Sequence, residues 1–153
     1  MGNPEVRVAD KNLASEKLAE RCEVKRLGAR SLDRAAEDRN FDMFTTLNEE
    51  YRILVANLAA EIEGNLGETA SVVGRPSWFH IVTNNKGPEP LYIDMPAYPK
   101  GDKQRIPQNI TGELVNINEG ELTVRNGGGD LIIFPIEDID SINLPMIAPV
   151  TGV

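Results

Sequence analysis

Residues Gln108 to Pro145 constrain the fold more than any other stretch of the chain: QNITGELVNINEGELTVRNGGGDLIIFPIEDIDSINLP. Their apolar residues fall in four short sets. Ile110, Leu114, Val115 and Ile117 form the first, Leu122 and Val124 the second, Leu131 to Phe134 the third, and Ile139, Ile142 and Leu144 the last. Asn118-Glu119-Gly120 and Asn126-Gly127-Gly128-Gly129-Asp130 separate them. Both are hairpin signals, because asparagine and glycine tolerate positive φ. Strands this short, in regular succession with little helix between them, predict an antiparallel meander that closes into a small β-barrel.

The chain before this run reads as helix. Residues 1 to 9 are expected to form a flexible arm. Asp10 to Leu27 predicts a helix with Leu13, Ala14, Leu18 and Cys22 on one side and Gly28 as its stop. A thinner helix is expected from Ser31 towards Arg39. The strongest runs from Thr46 to Glu63. There Thr46-Leu47-Asn48-Glu49 matches a capping box, and Leu47, Tyr51, Leu54, Val55, Leu58 and Ile62 form one stripe before Gly64. Such a stripe builds either a core or a helix contact between subunits. Gly67 to Val73 is small and polar and reads as a linker. Trp78 to Val82 predicts a strand, Asn84 to Pro88 a turn, and Leu91 to Ile93 the returning strand. Six of the ten prolines lie between Pro76 and Pro107, so 94–107 is expected to be an extended arm or loop touching another surface. The predicted class is α+β, in four parts: helices over 1–66, a strand pair and Pro-rich segment over 67–107, the barrel over 108–145, and an uncharged apolar tail over 146–153.

The pattern Gly112-x-Leu114-x-x-Ile117, Leu122-x-Val124, Ile132-Ile133-Phe134 and Ile139-x-x-Ile142-x-Leu144 resembles small barrels of the Sm-like superfamily, and it is also similar to PRC-barrel domains. The resemblance covers about 36 residues, matched by strands and turns. It implies that Gly112 lets a bent strand turn a corner, and that Ile139 to Leu144 forms the last strand after a turn at Pro135 to Asp138. It also implies the family's habit of pairing edge strands between subunits into rings. The RNA-binding signatures of the Sm-like family are not present. Pro135-Ile136-Glu137 stands where a Tyr-Lys-His triplet would be, and Ile142-Asn143-Leu144 where an Ile-Arg-Gly step would be.

Charge points the same way. The chain of 153 residues carries a net charge of −8. Within the barrel run Arg125 is the only base, against seven acids, whereas each phosphate contact needs a cation. A nucleic-acid partner is therefore not expected of the barrel. An RNA-binding alternative would have to draw on Arg21, Lys25, Arg26, Arg30, Arg34 and Arg39 in the helices. No segment approaches the ~18 apolar residues of a membrane span, and a negative field disfavours anionic membrane surfaces. Cys22 is the one cysteine, which points to a cytoplasmic or virion setting rather than a disulfide-stapled secreted fold.

Catalytic chemistry is hard to assemble from these residues. His80 is the only histidine, so neither a histidine pair for a metal nor a His-Cys zinc set is expected. Ser77 lies three residues before it with no nucleophile elbow or orienting acid. Gly127-Gly128-Gly129 precedes a strand rather than a helix, so a hairpin turn is expected there and not a phosphate cradle. Glu137-Asp138-Ile139-Asp140 lacks the spacing of a calcium loop. No cofactor is expected. The expectation is a non-catalytic structural or assembly protein that binds copies of itself or another protein of a large complex, a phage particle being one such setting. The interface candidates are Leu47, Tyr51, Leu54 and Leu58 on the helical stripe, Trp78, and Met146, Ile147 and Val150 in the tail.

Overall fold

A computed structural model describes residues 4–83, 87–97 and 106–145, with side chains described from residue 13 onward. Two long helices come first: α1, Pro4–Glu37, and α2, Phe41–Glu63. α1 is one helix where two were expected, and it begins inside the expected arm. Proline is at home in a first helical turn. Gly28 does not stop α1, because tertiary packing overrides its weak propensity: a Cβ there would lie 2.8 Å from Leu54 Cδ1. The missing side chain lets α2 approach at Tyr51 and Leu54.

The turn between the helices is made by Arg39 at φ 52°. Asn40 then caps α2, its side chain accepting from the Met43 N–H at 3.2 Å. α2 thus starts five residues before the expected capping box. The Thr46 hydroxyl instead donates to the Asp42 carbonyl inside the helix. The helix ends at Glu63 and Gly64, as its sequence predicts.

Seven antiparallel strands follow: β1 Thr69–Gly74, β2 Trp78–Thr83, β3 Leu91–Pro96, β4 Gln108–Asn118, β5 Glu121–Asn126, β6 Leu131–Pro135 and β7 Ile139–Asn143. The class is α+β. β1 replaces the expected linker. Ala70 and Val72 are buried and alternate with more open residues, the period of a strand packed on one face. β4 to β7 fall where the apolar sets lie, and a 3₁₀ turn, Ile136–Asp138, precedes β7. At the β4–β5 hairpin Glu119 (φ 50°) and Gly120 (φ 76°) both occupy the left-handed region that a tight hairpin requires.

The strands form one sheet in the order β3-β2-β6-β5-β4-β1-β7. Among the described residues no ladder joins β3 to β7, so strand pairing does not close the sheet. Gly112 lies where β4 crosses β5, and a Cβ there would run into the Arg125 carbonyl. Leu18 and Cys22 of α1 and Leu58 and Ile62 of α2 share one buried cluster with Leu114, Leu122, Val124, Ile132 and Phe134 of the sheet. Helices and strands are therefore held by the same core.

Candidate association surface

The two ends of the sheet are treated differently. β7 is bordered by α1, whose polar side chains reach its outward backbone. Ser15 Oγ donates to the Leu144 carbonyl at 3.4 Å. The Ile142 N–H points at the Cys22 sulfur. Lys25 Nζ donates to the Glu137 carbonyl at 2.8 Å, just before the strand. A helix laid along an edge in this way removes it from further strand pairing.

β3, at the other end, pairs on one side only among the described residues. All six of its residues are exposed, with Leu91 at 51% and Tyr92 at 58%. Ile93 and Met95 are exposed as well. The strand pairs along its whole length with β2, but β2 itself meets β6 only from Trp78 to His80. The β2–β3 hairpin therefore overhangs the sheet. Where the β2–β6 ladder ends, the Asp130 carboxylate takes over by accepting from the Val82 N–H at 2.7 Å. Asp130 is itself held by the β5–β6 turn. Asn126 Oδ1 accepts from the N–H groups of Gly128, at 3.0 Å, and Asp130, at 2.9 Å. Two of the turn's amides are thus already committed, as suits a hairpin better than a phosphate cradle.

On the outer face of the overhang His80 pairs through Nδ1 with Asp94, directly opposite it in register, and stacks on Tyr92 with ring centroids 5.0 Å apart. The His80 hydrogen bond holds the Asp94 carboxyl below its ordinary range. Ser77 lies just before β2, with its hydroxyl 3.5 Å from the Ile133 carbonyl, and does not join His80 in a catalytic set.

A second apolar patch sits at the tip of the helical hairpin, where Phe41 is 76% exposed and Met43 and Phe44 are also exposed. Of the sequence-based candidates, Leu58 is 0% exposed and belongs to the chain's own core. Leu47, Tyr51 and Leu54 are half-buried, and Tyr51 and Leu54 face Gly28 of α1. Trp78 is exposed at the base of the overhang. Met146, Ile147 and Val150 lie outside the described residues, as does most of 94–107. The exposed apolar residues of β3 and of the α2 start were not among the candidates. Pro90 and Pro96, bracketing a run apolar on both faces, were the available signal for an edge strand.

A polar cavity of about 510 Å³ lies where the helices meet the sheet, bordered by Lys25, Arg26, Arg30 and Arg75 and by Glu137, Asp138 and Asp140. Two of its cations are already engaged. Lys25 is 3% exposed and bonded to the Glu137 carbonyl, and Arg26 pairs with Glu23 at 2.6 Å. The basic series from Arg21 to Arg39 is thereby interrupted, and its last member lies in the turn after α1. Burial pushes the Cys22 thiol up to about 11, which leaves it a poor nucleophile. Among the described residues no three His, Cys, Asp or Glu side chains group to hold a metal, and no helix is long and apolar enough to cross a membrane.

No family model, curated protein or solved structure matches this chain.

Proposed function

We propose that this protein is a non-catalytic structural or assembly component that works by self-association and protein–protein contact. The observation that carries the reading is the β3 edge, a strand with every residue exposed and four of its six side chains large and apolar. An exposed apolar strand edge of this kind is a template for another chain. Phe41, Met43 and Phe44 offer a second contact. The small-barrel resemblance supports the same reading. Gly112 stands where β4 passes close to β5 and a turn precedes the last strand, two features on which that resemblance draws, while strand pairing among the described residues does not close the sheet. The proposed setting is the cytoplasm or a virion, within a large complex such as a phage particle.

The test is native mass spectrometry and sedimentation of the full chain over a wide concentration range. Concentration-dependent oligomers are expected. A strict monomer throughout would overturn the reading. An Sm-like RNA regulator is the rival. It would show affinity for single-stranded RNA that falls steeply with salt, and none is expected with Lys25 buried and Arg26 paired.

A further inference from the structure

Which strand meets which follows from the backbone. Along β2 the Val82 N–H faces the β6 side, where Asp130 receives it. In an antiparallel ladder successive residues turn their N–H and C=O to opposite sides. Trp78, His80 and Val82 therefore face β6, and Phe79, Ile81 and Thr83 face β3. The bond from the Ala97 N–H to the Ser77 carbonyl has the same parity. The register pairs Phe79 with Met95, Ile81 with Ile93 and Thr83 with Leu91. Leu91, Ile93 and Met95 thus spend their backbone groups on β2. Tyr92, Asp94 and Pro96 turn theirs outward, and Pro90 continues that parity just before the strand. Since proline has no N–H, the open edge carries two donors, Tyr92 and Asp94, bracketed by prolines.

We infer that β3 pairs antiparallel with β3 of a second copy about a two-fold axis at Ile93, placing Tyr92 of each chain opposite Asp94 of the other. This rests on the self-association reading and specifies its geometry. Under that symmetry both outward donors of each copy meet outward carbonyls, and Pro90 falls opposite Pro96, so no N–H is left without an acceptor. Leu91, Ile93 and Met95 project to the same face of the strand, where Ile93 meets its symmetry mate and Leu91 meets Met95 of the second copy. A slip by two residues one way sets Asp94 against Asp94, two like charges face to face, and the other way sets Met95 against Glu89. A ring built by pairing β3 with β7 of the next copy is not available, because α1 lies along β7. One open edge and one covered edge permit a closed pair and no further growth by strand pairing.

The test uses the full chain with single cysteines, against the buried native Cys22 as background. At a non-hydrogen-bonded pair the two Ile93 Cα atoms would stand ~4.5 Å apart, within disulfide range. Ile93→Cys is expected to give a disulfide-linked dimer on mild oxidation. Leu91→Cys alone would not, since its own mate lies ~13 Å away, but mixed with Met95→Cys it would. Asp94→Pro removes an outward donor and leaves the backbone bonds to β2 in place, while also taking away the carboxylate bonded to His80. It is expected to raise the concentration for half-dimerisation ~10-fold or more, whereas Asp94→Asn, which keeps the N–H, should change it little. If Asp94→Pro does not fold, the cysteine pattern alone decides. Dimers or larger oligomers with no Ile93→Cys linkage overturn the edge pairing and leave self-association standing. A strict monomer overturns both.

Discussion

Lys25 is a cation in a nearly dry place, and its lowered pKa comes first from burial. A lysine whose folded pKa is depressed binds fewer protons folded than unfolded in the window between that value and 10.5. Its contribution to stability therefore rises with pH across that window. The stability difference between wild type and Lys25→Met should shift towards wild type as pH is raised towards 10.5, measured by urea titration. Asp94 has the opposite sign. Its folded carboxyl is held below 3.8, so what it contributes is complete above that value and disappears as pH falls through the lower folded one. Amide exchange in β3 should accelerate in that acid range and be less pH-sensitive there in Asp94→Asn. Gly112 is governed by space rather than charge. Gly112→Ala drives a methyl into the Arg125 carbonyl, a backbone atom that cannot swing aside, and should lower stability by about 1–3 kcal/mol in denaturant unfolding.

At the level of elements, the overhanging hairpin depends on a single carboxylate where its ladder ends. Asp130→Ala leaves the Val82 N–H without an acceptor, at a cost of about 1–3 kcal/mol. Exchange should quicken at Val82 and along β3 while β4 and β5 keep their protection. Elements whose burial is one-sided were legible in the sequence. β4 to β7 and α2 carry their own periodicity, with glycines at the breaks. β1 was not, because Thr69 to Gly74 is built of small residues whose alternation is faint, and its strand character comes from lying between β4 and β7. The continuity of α1 was also hidden, since Gly28 signals a stop until Tyr51 and Leu54 of α2 are seen against it. For the association surface, Trp78 and the helical stripe stood out in the sequence. Tyr92 and Ile93 became candidates only once the topology placed β3 at an edge.

For the molecule as a whole, one buried cluster couples both helices to the sheet. Leu18 is 0% exposed and sits among sheet residues, so Leu18→Ala should cost about 2–5 kcal/mol. Because the cluster is shared, far-UV and tryptophan signals should shift together in one transition, without early loss of helix. The placement of α1 also bears on synthesis. The segment that shields the final strand leaves the ribosome before that strand exists. A nascent chain lacking it would present two sticky borders instead of one, and head-to-tail stacking into filaments would then have no natural end.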